Sequence, residues 1–349
     1  MVKKIAILFL SLLVTIFCTE VCLRLAGFEP YQLPGYSFVS EPTNCFGKDS
    51  LGVTLLPGKF RVDINNGLIH DVTHGLDSTR LTGSTLPDTL NLPLIHVYGC
   101  SYVYGQGVSD SETYPYLLQD ALPNARVVNY AVPGYGTLQA FLKLKKNLST
   151  EEAPSLVILN YATFHEERNL LSRSFIDKLY TGFRLMDVEK PKMVYPKISM
   201  DKDTFEIQYV NVVDEFTPLP MREWFASINL VDTKLSAVKS EEVLNYNASK
   251  TLLSSMADLC IQHDVQLLVT NIDERQDSYV IEDFCSTESI AYVSISPDFS
   301  NDSYRNLPFD NHPSALAHKF YADKVVAYLV EQKLEIHSWV TKNQNLLTR

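Results

Sequence analysis

Five short apolar runs alternate with helix-like segments between residues 94 and 332, and this alternation is the strongest constraint on the fold. Leu94–Gly99 and Ser155–Tyr161 are apolar at nearly every position, as in strands that are buried on both faces. The other predicted strands are Arg126–Tyr130, Val265–Thr270 and Ala291–Ile295. A sheet covered by helices on both faces accounts for this rhythm. We therefore predict an α/β fold: a three-layer α/β/α flavodoxin-like sandwich around a five-stranded, mostly parallel sheet.

The segments between these strands have the residue spacing of amphipathic helices. Apolar residues recur every three or four positions in the predicted helices, which are Glu112–Leu122, Gly136–Leu148, Glu241–Gln262, Ile281–Glu288 and Ser314–Gln332. Asp110 precedes the first helix and is predicted to cap its N-terminus. In such sheets ligands bind beyond the carboxyl ends of the strands. We therefore expect the functional residues in the loops that follow the strands.

The rest of the chain is arranged around this core, which is predicted to occupy residues 94–335. Residues 31–93 are rich in Gly, Pro, Asn and Thr, which predicts a small β- and loop-rich N-terminal extension. At about residues 179–240, short β-like runs and prolines interrupt the rhythm and indicate a β-containing insertion that shapes or covers a pocket. Residues 336–349 are predicted to be a C-terminal tail.

Residues 1–30 have the composition of a targeting segment. Lys3 and Lys4 precede the apolar run Ile5–Cys18, and no small-residue cleavage site follows it. This favours an uncleaved signal anchor, with a cleaved signal peptide and secretion as the alternative. Both alternatives place most of the chain outside the cytoplasm, on the periplasmic side of a membrane.

Composition narrows the possible partners. The formal net charge is −11, and an acidic surface repels phosphate backbones, so nucleic acid is not an expected partner. The chain has neither a CxxC nor an HExxH pattern, so we expect no metal and no cofactor. Among the six cysteines, Cys260 and Cys285 are the first candidates for a disulfide in an oxidising compartment. The sequence gives no indication of the oligomeric state.

Polar segments that could carry chemistry follow the predicted strands. Ser101 follows a glycine at the end of the first strand, and its hydroxyl needs a base to become a nucleophile. His312 lies in the loop before the last helix and can serve as that base, because an imidazole exchanges a proton near neutral pH. Asp310, two residues earlier, can orient the imidazole and stabilise its charged form. The three residues therefore predict a catalytic triad.

A developing oxyanion needs hydrogen-bond donors. The backbone N–H of Ser101, the backbone N–H of Gly134 after the second strand, and one side chain from residues 160–169 after the third strand can provide them.

The same segments resemble the sequence blocks of the SGNH (GDSL-like) hydrolase superfamily. Gly99-Cys100-Ser101 is similar to its GDS block, in the Gly-Cys-Ser variant of bacterial members. Residues 129–139 resemble the second block, which implies that Gly134 is its oxyanion glycine. Asp310, His312 and the residues after them resemble the final block. The resemblance covers about residues 94–169 and 307–329 and implies Ser101, Asp310 and His312 as catalytic residues.

The third block departs from the family pattern. Members of the family present an Asn side chain there, whereas the matching position in this chain is His165. An imidazole N–H can donate the same hydrogen bond, so the resemblance implies an oxyanion hole formed by Ser101, Gly134 and His165. Asn160 and Asn169 are the alternative donors in this segment.

The resemblance implies a serine esterase or acyl hydrolase that acts on ester groups, with O-acyl esters of small molecules or glycans as the expected substrates. Transfer of the acyl group to a glycan is one alternative, because the same triad serves both reactions. A non-catalytic glycan-binding or envelope-assembly protein on the same fold is the other, and the altered third block is its main support.

Overall fold

The chain begins with a long helix and a small antiparallel sheet. In the computed structural model, residues 2–83, 92–150, 152–185, 193–201, 204–238, 243, 245–275 and 277–332 are described. Helix α1 spans Val2–Leu25. The strands that follow are β1 (Phe38–Glu41), β2 (Phe46–Asp49), β3 (Gly52–Leu55), β4 (Gly58–Ile64) and β5 (Leu68–His74). Strand β4 pairs with β1 and β5, and β2 pairs with β3, all antiparallel.

Leu94 begins the main core. Its first elements are β6 (Leu94–Tyr98), α2 (Ser101–Tyr104), α3 (Tyr114–Ala121), β7 (Arg126–Asn129), α4 (Thr137–Thr150) and β8 (Leu156–Tyr161). Every residue of β6 and β8 is buried, which explains the nearly continuous apolar character of both strands. The prediction that Asp110 caps α3 is wrong. Thr113 caps α3, and Asp110 begins a single 3₁₀ turn before it.

A long excursion separates β8 from the next core helix. It contains α5 (His165–Asn169), α6 (Arg173–Leu185), β9 (Val194–Asp201), β10 (Thr204–Asn211), α7 (Val212–Glu215) and α8 (Ala226–Ala237). Strands β9 and β10 form an antiparallel hairpin. The core then resumes with α9 (Asn247–Gln262), β11 (Gln266–Asn271), α10 (Tyr279–Thr287), β12 (Ala291–Ser294) and α11 (Ala315–Glu331). The predicted tail, residues 336–349, lies outside the described residues.

The central sheet has the order β7-β6-β8-β11-β12, and every pairing in it is parallel. This order confirms the predicted flavodoxin-like sheet, since the chain starts in the middle, steps to one edge and then crosses to the other side. The direction of winding changes between β6 and β8, where α/β sheets of this kind open a crevice. We therefore expect the site beyond the carboxyl ends of these two strands.

Apolar side chains fill both faces of the sheet. On one face, Ile95 of β6 belongs to a cluster with Leu118 of α3 and Val325 of α11. On the other face, Leu159 of β8 belongs to a cluster with Leu252 of α9 and with residues of α4. Each cluster packs one face of the sheet against helices. The sheet and the helices on its two faces are the three layers that the alternating sequence predicts.

The predicted bridge between Cys260 and Cys285 is wrong. Both cysteines are free and buried, and both belong to the same apolar cluster. Burial raises the pKa of both thiols, so they pack as small neutral side chains.

A buried arginine fixes the loop that follows α2. The guanidinium of Arg80 donates to the carbonyl oxygens of Tyr104 (2.7 Å), Gly105 (2.5 Å) and Val108 (2.7 Å) and to the carboxylate of Asp110 (3.0 Å). The Arg80 amide also donates to the backbone of β7. One side chain from the N-terminal extension therefore supports the backbone immediately after Ser101.

Replacing Arg80 with Met should strongly destabilise the protein. Three carbonyl oxygens and a carboxylate would lose their buried donor, and such losses cost about 3–5 kcal/mol. Urea unfolding of the full chain in detergent measures the difference. Arg61→Met is the matched control, because Arg61 is exposed on β4 and should change stability by less than about 0.5 kcal/mol. Equal effects of the two substitutions would contradict this account of Arg80.

Candidate functional site

Ser101 lies at the carboxyl end of β6, as the first residue of the single-turn helix α2. Cys100 before it has extended backbone angles, and Gly105 ends the helix in the left-handed conformation with φ of 90°, which favours glycine. This sharp transition from strand to helix leaves Ser101 at the edge of the sheet, with its side chain directed into a cleft.

The structure brings the three predicted triad residues together. Nε2 of His312 is 3.0 Å from Oγ of Ser101, although 211 positions separate them in the chain. Nδ1 of His312 is 2.8 Å from Oδ1 of Asp310. If Nδ1–H donates to the carboxylate, Nε2 is free to accept the proton of the serine hydroxyl. The arrangement has the distances and the order of a serine nucleophile, its base and an orienting acid.

Gln106 supports the acid and was missed by the sequence analysis. Its amide donates to Oδ2 of Asp310 (3.3 Å) and to the hydroxyl of Tyr36 (3.0 Å). Burial alone would raise the pKa of Asp310, but the hydrogen bonds and charge of His312 and the amide of Gln106 outweigh it and lower that pKa. The carboxylate is therefore ionised at neutral pH. Gln106 lies in a short loop between two glycines, a position that carries no signal in a single sequence.

A cleft of about 510 Å³ opens in front of Ser101 and His312. It is lined mainly by polar and aromatic side chains, which include Tyr102, Thr163, Phe164, Glu167, Arg168, Phe175, Lys178, Tyr246, Arg275 and Asp277. The edge of the Tyr102 ring packs against His312, with ring centroids 5.6 Å apart. A reactant can therefore reach the serine hydroxyl through the cleft. The ring of Tyr102 packs against one side of the imidazole and restricts its movement.

Of the three predicted oxyanion residues, Ser101 lines the cleft, whereas Gly134 and His165 do not. Gly134 lies in the loop between β7 and α4 with φ of 85°. His165 is fully buried against Tyr161 and Phe164 and does not line the cleft. Its Nδ1 is 3.4 Å from the hydroxyl of Thr137. Burial lowers the pKa of His165 well below its ordinary value, so the ring is neutral. This position does not support a role in binding an oxyanion.

Both alternative asparagines are also used inside the core. Asn160 donates to the carbonyl of Tyr98 and accepts from the hydroxyl of Thr270. Asn169 accepts from the amide of Leu138 and donates to Ser249. Neither residue lines the cleft. In the third segment, the cleft is instead lined by residues 163, 164, 167 and 168.

Arg168 connects the third segment to the second. Its guanidinium donates to the carbonyl of Tyr135 (2.6 Å) and lies over the ring of Phe164 at 4.4 Å from the centroid. The side chain therefore braces the loop that contains Gly134 and also contributes positive charge to the cleft.

Two other reactive side chains near the triad are held neutral. Burial raises the pKa of the Cys100 thiol, so Cys100 is a packed thiol and not a competing nucleophile. His318 on α11 is buried and accepts a hydrogen bond from the amide of Tyr114. Burial lowers the pKa of His318 to about 3. We therefore assign His318 a structural role, joining α11 to α3.

Comparisons with known proteins match this chain to solved structures of low sequence identity. No family model matches the sequence, and no curated protein matches it. A lipolytic protein of the G-D-S-L family from Desulfitobacterium hafniense DCB-2 is 9% identical, with a TM-score of 0.37, over 67% of this chain and 98% of the other. A protein named as an acylhydrolase from Bacteroides fragilis NCTC 9343 is 11% identical, with a TM-score of 0.37, over 70% and 92%.

A G-D-S-L family lipolytic protein from Veillonella parvula DSM 2008 is 10% identical, with a TM-score of 0.38, over 68% of this chain and 98% of the other. TM-scores this low carry no argument about the chemistry of this chain. The functional interpretation therefore rests on the geometry of its own side chains.

Glu166 is a buried carboxyl group behind the cleft. It accepts hydrogen bonds from the amides of Ala248 (2.9 Å) and Ser249 (2.8 Å) at the start of α9. Burial raises the pKa of Glu166 from 4.5 to about 7, although these hydrogen bonds favour the charged form. Between these two pH values the folded chain retains a proton that the unfolded chain releases. The contribution of this group to stability therefore falls as the pH rises from 4.5 to 7.

Replacing Glu166 with Gln removes the titrating proton and should flatten this pH dependence. Relative to wild type, the unfolding free energy of Glu166→Gln should improve by up to about 1.4 kcal/mol per pH unit between the two pKa values. Urea unfolding at several pH values measures this difference. Glu331→Gln, at an exposed position at the end of α11, should leave the wild-type dependence unchanged. A parallel pH profile for Glu166→Gln would show that Glu166 ionises normally.

Proposed function

We propose that this chain is a serine ester hydrolase of the SGNH type that acts outside the cytoplasm. The observation that carries the proposal is the continuous hydrogen-bonded path from Ser101 through His312 to Asp310, with separations of 3.0 and 2.8 Å. Ser101 Oγ attacks the ester carbonyl while Nε2 of His312 takes its proton. His312 then returns the proton to the departing alcohol. Water, activated by the same imidazole, releases the acyl group from Ser101.

The oxyanion of the tetrahedral intermediate would be bound by backbone amides of Ser101 and Gly134. For the third donor we propose Thr163 in place of His165. Thr163 lines the same cleft as Ser101, whereas the imidazole of His165 is fully buried. A hydroxyl can donate the required hydrogen bond.

The N-terminal helix supports a membrane location. Lys3–Leu25 is long and apolar enough to cross a bilayer, with a mean hydropathy of 2.4, and little of it is buried in the protein. Two lysines at its start favour retention of that end in the cytoplasm. The domain with the cleft would then lie on the outer, periplasmic side.

The charge of the cleft favours an ester substrate that carries an acidic group. Arg168, Lys178 and Arg275 line it, whereas Glu167 and Asp277 are its acidic residues. Both acidic residues have partners: Ser174 donates to Glu167, and Tyr246 donates to Asp277. Arg168 donates to the carbonyl of Tyr135 and Arg275 to the carboxylate of Asp273. Lys178 is exposed and, with the remaining donors of the two guanidinium groups, is suited to bind a carboxylate or phosphate on the substrate.

Acyl transfer to a sugar hydroxyl is the second candidate, because the cleft also presents aromatic surfaces. The rings of Tyr102 and Phe164 pack edge to face, with centroids 5.5 Å apart, and Phe175 lines the same space. Apolar ring faces beside polar groups suit a carbohydrate as well as a simple alcohol. Incubation with an acetylated donor and an acceptor sugar distinguishes the two reactions, because only the transferase forms an acylated acceptor.

Substitution of the nucleophile or the base should abolish ester cleavage. Ser101→Ala and His312→Ala should each lower the turnover of short aryl esters by roughly 10³-fold or more. A fluorophosphonate probe should label the wild type at Ser101 and leave Ser101→Ala unlabelled. Ser149→Ala, at an exposed position on α4, should retain wild-type rates. Turnover and labelling that persist in Ser101→Ala would exclude the proposed nucleophile.

The cationic residues should affect acidic substrates selectively. Lys178→Ala and Arg275→Ala should each lower kcat/KM for a carboxylate-bearing aryl ester by about 5- to 20-fold, with little change for its neutral methyl ester. Lys145→Ala, at an exposed position on α4 outside the cleft, is the control and should affect neither ester. An equal loss with both esters would indicate damage to the catalytic machinery and not a role in selecting charge.

A further inference from the structure

The last turns of α1 are part of the folded domain. The carboxylate of Glu20 is buried and accepts hydrogen bonds from the amides of Ala226 (2.7 Å) and Ser227 (3.0 Å) and from the hydroxyl of Ser227 (2.8 Å). These are the first amides of α8, which have no partners within the helix. A residue of the apolar N-terminal helix therefore provides the cap for a helix more than 200 positions later in the chain.

The residues after α1 continue along the same surface. Arg24 donates to the carbonyl of Trp224 (2.7 Å), and Asn229 of α8 donates to the carbonyl of Glu29 (2.9 Å). The guanidinium of Arg222 lies 4.0 Å from the centroid of the Tyr31 ring. Cleavage of α1 as a signal peptide would remove Glu20 and leave α8 uncapped. The contacts therefore favour retention of the helix.

An exposed apolar stripe runs along α8 and includes one residue before the helix, Trp224, and one after it, Val238. Ile228, Val231 and Leu235 follow one another at intervals of three and four residues, which places them on one side of α8. Trp224 is 74% exposed, Val231 51%, Leu235 48% and Val238 73%, and Ile228 is half-buried. We call these five residues the α8 stripe. Ala226, on the opposite side of α8, and Asp232, between the two sides, are buried in the protein.

We propose that the α8 stripe lies in the surface of the lipid bilayer that α1 crosses. Its position is the reason for this choice of partner: Glu20 and Arg24 attach the start of the stripe directly to the end of the apolar helix. Tryptophan is enriched at membrane interfaces, and a contiguous group of exposed apolar side chains is typical of a membrane contact site. Lys234 is exposed on the same helix and can contact anionic headgroups.

This contact would fix the position of the cleft above the membrane. Asp232 of α8 accepts from Arg173 of α6 (2.6 Å) and from Arg222 (2.7 Å), and Arg222 also donates to Asp177 of α6 (3.2 Å). Helix α6 in turn contributes Phe175 and Lys178 to the cleft. Charged hydrogen bonds therefore connect the bilayer-facing helix to one wall of the cleft.

The fluorescence of Trp224 tests the contact without relying on activity. The chain has two tryptophans, so full-length Trp339→Phe in lipid nanodiscs reports on Trp224 alone. Lipids brominated near the headgroup should quench its emission at least twofold, and aqueous acrylamide should have little effect. Quenching by acrylamide but not by brominated lipid would overturn the proposal. Protection from both quenchers would also overturn it, because a protein partner would then cover the stripe.

Two variants serve as controls. Tyr279→Trp in the Trp224→Phe, Trp339→Phe background places the reporter at a 60% exposed position on α10, and it should respond to acrylamide and not to brominated lipid. Glu20→Ala removes the cap of α8, so quenching of Trp224 by lipid should fall while α1 keeps the protein in the disc. Unchanged quenching in Glu20→Ala would contradict the role of Glu20 in holding the stripe against the bilayer.

The mature N-terminus provides an independent test. The intact mass of the protein purified from membranes should include residues 1–25. A mature chain that begins after Leu25 would overturn the proposal even if the catalytic activity were intact, because the residues that attach α8 to the membrane would be missing.

Discussion

The parallel direction of all five core strands is the constraint on which the site depends. Because parallel strands have their carboxyl ends at a common edge, the loops after β6, β7 and β8 and the loop before α11 meet there. Ser101 and His312 are thereby brought to 3.0 Å despite their distance in the chain. An antiparallel strand at the centre would send one of these loops to the opposite edge and separate the hydroxyl from its base.

Polar side chains then fix the conformation of the loops that meet at this edge. Arg80 holds the backbone after Ser101 through three carbonyl oxygens, Gln106 holds the carboxylate of Asp310, and Arg168 holds the loop of Gly134 through the carbonyl of Tyr135. Arg80 is fully buried, and such a group is costly to bury unless its hydrogen bonds are satisfied. These hydrogen bonds disfavour alternative loop conformations, so the loops that carry Ser101, Gly134 and Asp310 are held in the observed arrangement.

The sequence predicts the features that depend on the local residue pattern, namely the strands and the polar segments that follow them. Apolar runs identified the strands, and the order of the polar segments after them identified Ser101, His312 and Asp310 as neighbours. The supports were not predictable in this way. Arg80 lies in a loop-rich extension with no periodicity, and its partners are backbone oxygens, which leave no trace in residue identity. His165 was chosen by its position in a block, whereas the helical turn of α5 directs its ring into the core.

The N-terminal helix shows the same difference between local pattern and tertiary contact. Composition identifies an apolar helix but cannot separate an anchor from a signal peptide, because both need only hydropathy and a charged start. Glu20 breaks the apolar pattern, and hydropathy alone counts it as a defect in a membrane span. In the folded chain, its carboxylate instead satisfies the first amides of α8. A charge that weakens the case for a membrane helix in the sequence is thus the contact that joins this helix to the domain containing the cleft.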